Sequence, residues 1–160
     1  PNFPKEGIIF KDITTLLRNP DAFQEAVNRL AEKFENEKID HVVGVESRGF
    51  IFGSVLAYKL KAGFVPVRKK GKLPYETKSV TYELEYGTDT LEIHKDAILP
   101  GQRVLIVDDL LATGGTIKAV VDLVKGLGAD VLGVAFLIEL TFLKGKEKIK
   151  DFPIYSIIEY

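Results

Sequence analysis

Residues Arg103 to Gly115 read RVLIVDDLLATGG. The stretch opens as a strand: Val104, Leu105, Ile106 and Val107 are apolar and mostly β-branched, a composition that suits a buried, pleated position. Two carboxylates then stand side by side, Asp108 and Asp109, followed shortly by Ala112, Thr113, Gly114, Gly115 and Thr116. A helical pattern runs from Thr116 to Leu127, with Gly128 near its end. The next apolar run, Val131–Ile138, reads as a second buried strand. Strand, helix and strand make one βαβ unit, which points to an α/β fold with a mostly parallel twisted sheet flanked by helices.

The rest of the chain repeats that alternation. Asn19 is placed to cap a helix, Pro20 suits its first turn and Asp21 favours its dipole there. Phe23, Val27, Leu30, Ala31 and Phe34 recur at helical spacing. Asp40–Val45 reads as a buried strand, Gly49–Leu60 as a largely buried helix, and Gly63–Val67 as a short strand. Lys69–Lys78 is polar and reads as a loop. Ser79–Tyr86 and Thr90–His94 suggest two strands of a hairpin around Gly87. Ile154–Ile158 reads as a final strand. No linker divides the chain, and a single domain over residues 1–160 is expected.

Composition narrows the function. The chain has 160 residues, 46% apolar and 28% charged, with a net charge of −1. A sequence-independent nucleic-acid binder needs a basic excess to neutralise phosphates, so that class is disfavoured. There are no cysteines, which excludes disulfides and thiol catalysis and suits a reducing cytoplasm. The longest apolar run is far shorter than the roughly 18 residues of a membrane span. No secretory pattern is visible, and no membrane association is expected.

Ligands of open α/β sheets bind outside the carboxyl ends of the strands. Asp108 and Asp109 are expected at such an end, just after Val107. Paired glycines permit a tight turn and close backbone approach. Amide groups at the following helix start, with the hydroxyls of Thr113 and Thr116, suit a phosphate. Carboxylates touching that phosphate would repel it, so they make better sense a short distance away, accepting hydrogen bonds from sugar hydroxyls. A ribose 5-phosphate offers both groups. Taken alone, a Gly-Gly turn or an Asp-Asp loop is ordinary; the combination is what points to a ligand. GVESRGF (44–50) lacks the lysine of a Walker loop, and GLGADV (126–131) precedes a strand instead of following one. His41 and His94 have no metal-like or triad-like spacing and read as structural.

VLIVDDLLATGGT closely resembles the phosphoribosyl-diphosphate signature of type I phosphoribosyltransferases. Further motifs, FPKEGIIFKDIT, ESRGFIFG, RKKGKLP, YELEYGTDTLEIHKDA and IELTFLKGKEK, look like the adenine phosphoribosyltransferases. Relatives usually carry another short helix before the FP motif, so a cut N-terminus is expected. The resemblance implies a type I phosphoribosyltransferase fold with a small hood (about residues 1–18) and a flexible flap hairpin (about 69–90). It implies formation of AMP and diphosphate from adenine and 5-phosphoribosyl 1-diphosphate in purine salvage, and a homodimer.

The same resemblance implies roles. Ala112, Thr113, Gly114, Gly115 and Thr116 would hold the 5′-phosphate, and Asp108 and Asp109 the ribose hydroxyls. Ser47, Arg48 and Gly49 match the pyrophosphate loop, with a cis peptide near Glu46–Ser47. Arg48 is also a candidate catalytic group. Arg68 and Lys72 match positions that meet pyrophosphate, whereas Lys69 and Lys70 read as facing water. Glu85, in the flap beside Tyr86, is the candidate for proton transfer at adenine, with Glu83 as a competitor. Phe10 would stack on the purine, backbone groups of Ile9 and Lys11 would read its edge, and Leu140 would close the other side. Magnesium is expected mainly on substrate oxygens, with no dedicated protein ligands. Two alternatives remain at this level: a non-catalytic regulator that senses phosphoribosyl diphosphate, and a relative using another purine base. Retention of Glu85 argues against the first, and FPKEGIIFKD against the second.

Overall fold

The computed structural model describes residues 12–84 and 86–160. A seven-stranded sheet has the order β3-β4-β2-β1-β5-β6-β7. Its strands are β1 His41–Val45, β2 Gly63–Lys69, β3 Thr77–Leu84, β4 Gly87–His94, β5 Arg103–Leu111, β6 Asp130–Glu139 and β7 Ile154–Glu159. Neighbours from β2 through β7 pair in parallel, while β3 and β4 form an antiparallel hairpin joined to β2. The helices are α1 Thr14–Leu17, α2 Pro20–Glu32, α3 Gly49–Leu60 and α4 Gly115–Gly126, with two short 3-10 turns, Thr141–Leu143 and Gly145–Ile149.

Local chemistry explains the helix starts. The Asn19 side chain accepts hydrogen bonds from the Asp21 and Ala22 amides, both at 3.1 Å, so the cap expected of it is made. Helix α3 is apolar on most of its circumference because it packs closely, burying Phe52, Leu56 and Ala57.

Alternation along β1 and β5 divides the core between the two faces of the sheet. Val43, Val104 and Ile106 pack with Val120 and Val124 of α4. Val42, Leu105 and Val107 pack with Leu30, Phe52 and Leu56 of α2 and α3.

The strands are longer than their apolar runs. β5 does not stop at Val107; it continues through Asp108 and Asp109 to Leu111. The reason is its partner: Phe136, Ile138 and Glu139 of β6 pair with Asp108, Leu110 and Leu111. Ladder hydrogen bonds override the local preference of aspartate for a loop. β2 likewise extends past Val67 to Lys69, because Arg68 and Lys69 pair with Glu92 and Leu91 of β4. Of the expected hood, α1 and its flanks are described, and residues 1–11 lie outside the described residues.

Leu105 is fully buried at the centre of this sheet. Leu105→Ala is expected to lower the free energy of unfolding by roughly 2–5 kcal/mol in a urea titration. A loss below about 1 kcal/mol would contradict its central placement.

Candidate active site

A cleft of about 810 Å³ opens at the carboxyl ends of the parallel strands. It is lined by Glu46, Ser47 and Arg48 after β1, by Lys69 and Lys72, by Tyr82, Leu84 and Asp89 of the hairpin, and by residues 108–117. The end of β5 and the start of α4 thus form one wall, and the β1–α3 connection faces them.

The turn from β5 into α4 is made by Gly114, at φ +87° in the left-handed region that glycine tolerates. No side chain caps α4 among the described residues. The first backbone bond into the helix is donated by the Lys118 amide to the Gly114 carbonyl, at 3.0 Å. The amides of Gly115, Thr116 and Ile117 therefore precede the intrahelical ladder, at the positive end of the dipole and on the cleft wall. Thr113 is exposed beside them. The Thr116 hydroxyl donates to the Tyr82 hydroxyl at 3.3 Å, which ties the hairpin to the loop.

The two carboxylates have different surroundings. Asp109 is buried, and its Oδ2 lies 2.8 Å from Arg48 Nε. Asp108 is half-buried as a residue, with its carboxyl set into the protein, and one of its oxygens accepts the Asp109 amide at 2.8 Å. Burial, followed by the charge of Asp109, pushes the Asp108 carboxyl well above the usual carboxylate range, while Arg48 pulls it down. Gly49 permits this closeness: a Cβ there would lie 2.9 Å from Asp108 Oδ1 and 3.2 Å from the Val107 carbonyl oxygen. The Glu46–Ser47 peptide is cis, as the resemblance implies.

Most of the residues singled out in the sequence meet here: Ser47, Arg48, Lys72, Asp108, Asp109, Ala112, Thr113, Gly114, Gly115 and Thr116 all line the cleft. Arg68 does not; its Nε is held by Glu46 Oε1 at 2.8 Å. Gly49 acts through packing. Tyr86 stands at the hairpin tip, 95% exposed and off the cleft wall. Leu140 follows β6 and donates its amide to the Leu111 carbonyl at 2.9 Å. Ile9, Phe10, Lys11 and Glu85 lie outside the described residues.

Lys69, read as facing water, lines the cleft with its Nζ 3.7 Å from Asp89 Oδ2. Tyr82 and Asp89 are not singled out by the sequence, and Glu46 only through its peptide bond to Ser47. No spacing in the sequence marks Tyr82 and Asp89, which reach the cleft through the β3–β4 hairpin, whereas Glu46 directly adjoins Ser47 at the end of β1.

The family described as phosphoribosyl transferase domain matches residues 12–159, and fold and cleft together define that class. A curated adenine phosphoribosyltransferase of Acetivibrio thermocellus is 60% identical over the whole chain and 94% of its own length. The crystal structure of adenine phosphoribosyltransferase from Thermoanaerobacter pseudethanolicus superposes with a TM-score of 0.96 at 58% identity, covering 100% of this chain and 93% of that one. The Saccharomyces cerevisiae enzyme, complexed with an imino-altritol bisphosphate and adenine, gives 0.91 at 51% identity over 98% of this chain and 90% of its own. The chain belongs to the adenine phosphoribosyltransferase family.

The raised Asp108 pKa has a signed consequence. The folded state disfavours the ionised form, so stability is lost as pH rises through the folded pKa and is regained as pH falls towards the ordinary carboxylate range. Asp108→Asn in the ligand-free protein is expected to raise Tm at pH 8, with the gain shrinking as the pH is lowered towards 4. A Tm difference that grows on acidification would overturn the assignment.

Proposed function

We propose that the cleft binds 5-phosphoribosyl 1-diphosphate and transfers its ribosyl phosphate to adenine, releasing diphosphate and AMP. The observation that carries this is the juxtaposition, in one cleft, of an uncapped α4 start beside Thr113 and Thr116 with the carboxylates Asp108 and Asp109. A terminal dianion on the amides and a diol on the carboxylates satisfy both sets of groups. The S. cerevisiae relative, solved with a bisphosphate and adenine, supports the same pairing of ligands.

In this reading the amides of residues 112–116 and the two threonine hydroxyls hold the 5′-phosphate. Asp108 and Asp109 accept from the ribose hydroxyls. Ser47, Arg48 and Lys72 face the diphosphate, where arginine presents paired donors. Arg68 acts indirectly by fixing Glu46. Phe10 stacks on adenine, Ile9 and Lys11 read its edge through their backbones, and Leu140 closes the far side. Glu85 takes or gives a proton on the base as the new C–N bond forms. Tyr86 lies beside it in the flap. Closure of the flap excludes water from an electron-poor anomeric carbon.

Magnesium fits this donor set as a substrate-held ion. No group of three or more histidine, cysteine or acidic side chains is placed to hold a metal among the described residues. Asp109 is already engaged by Arg48. Asp108 and Asp109 would hold the ion through water. Bound there, it would offset negative charge on the leaving diphosphate.

We also propose a cytoplasmic homodimer built from one domain per chain, on the strength of the family resemblance. Among the described residues no helix is long and apolar enough to cross a membrane.

The test is AMP formation from adenine, phosphoribosyl diphosphate and magnesium, run beside guanine, hypoxanthine and xanthine. Adenine is expected to be the preferred base, and equal turnover of another would refute the assignment. Glu85→Gln should lower kcat by about 10²-fold or more, with affinity for phosphoribosyl diphosphate largely intact. Unchanged turnover would reject its proton-transfer role.

A further inference from the structure

Behind the loop proposed to hold the 5′-phosphate lies a second segment, the 3-10 turns after β6. Its contact with the loop is backbone on backbone. A Cβ on Gly114 would lie 2.6 Å from the Gly145 carbonyl oxygen, and a Cβ on Gly145 would overlap the Ala112 carbonyl oxygen and approach the Gly114 amide nitrogen at 3.2 Å. Gly145 is buried, so its peptide forms the floor beneath Ala112–Gly114.

The next residue is anchored. Lys146 Nζ lies 2.8 Å from Glu139 Oε1 and 3.8 Å from Glu159 Oε1. The Glu139 side chain is 3% exposed, and its Oε2 has no hydrogen-bond partner among the described residues. Glu139 ends β6 and pairs directly with Leu111, the last residue of β5 before the loop. A carboxylate buried there with one cationic partner ties Lys146 to the sheet. The ammonium proton is correspondingly held more tightly, first through its hydrogen bond to Glu139. On the other side of Gly145, Lys144 sits at φ 54°, and beyond the turn Ile149 is buried in the core with Ile117 of α4.

We propose that Lys146 is a positioning residue for the 5′-phosphate: latched to Glu139, it holds the Gly145 peptide against Ala112–Gly114 and so fixes the direction of the loop amides. It touches no substrate. The proposal rests on the reading of residues 112–116 as the phosphate loop, and it adds a determinant outside the phosphoribosyl-diphosphate signature. Loosening the latch misdirects amides that bind the phosphoribosyl part, and leaves the adenine contacts alone.

The experiment compares Lys146→Met, Lys146→Arg and Glu139→Gln in the full chain, assayed well below the Tm of each. Lys146→Met and Glu139→Gln are expected to raise KM for phosphoribosyl diphosphate about tenfold, with KM for adenine within about twofold and ribose 5-phosphate binding weakened in parallel. Lys146→Arg should restore all three values. Glu139→Gln keeps the side-chain volume and gives the readout if Lys146→Met does not fold. A fall in Tm with unchanged KM for phosphoribosyl diphosphate, or equal rises in both KM values, would overturn the proposal. Thr116→Ala separates the two readings. If it weakens ribose 5-phosphate binding and the latch variants do not, the latch alone fails; if it has no effect, the loop reading fails and the latch with it.

Discussion

The site depends on one continued strand pairing. β5 keeps its ladder with β6 for four residues past Val107, as far as Leu111. Had the strand ended with its valines, two aspartates would have entered a solvated loop with freedom to separate. Held in the sheet, Asp108 and Asp109 have fixed places at the mouth of the fold, and the turn at Gly114 follows within a few residues. The same extension brings Leu111 beside Glu139 and hence places the floor under the loop.

That scaffold gathers groups whose needs the folded chain leaves incompletely met. Three amides at the start of α4 precede the helical ladder. Asp108 is disfavoured as an anion by burial and by its neighbour. Arg48, in the connection after β1, compensates Asp109. Electrostatic preorganisation of this kind costs stability in the empty protein and is recovered on binding, because the ligand supplies the missing partners. In the proposed function, a phosphorylated sugar brings a dianion for the amides and hydroxyl donors for the carboxylates.

Much of this was legible in the sequence because it is local. The βαβ unit, the Asn19 cap and the helix at Gly49–Leu60 are written in short-range patterns. So is the order strand, acid pair, threonine-glycine loop and helix. The extent of β5 was not legible: aspartate disfavours strands, and only the length of β6 overrides it. Lys69 is largely exposed, as expected, but its place on the cleft rim was not legible, because it depends on β4 pairing beside it and bringing Asp89 within reach. Tyr82 could not be singled out by spacing, because its hydroxyl meets Thr116 across 34 residues of chain. The latch at Lys146 lay inside a motif that served only as a family marker, and its geometry depends on β6 and β7 together.

The central claim is that the α4 start takes the phosphate while the adjoining carboxylates take the diol. A ¹⁵N-resolved NMR titration with ribose 5-phosphate, with ribose as control, addresses it most directly. The account predicts saturable shifts of the Thr113, Gly114, Gly115 and Thr116 amides together with those of Asp108 and Asp109, absent or far weaker with ribose. Binding that leaves these six amides unmoved would contradict it.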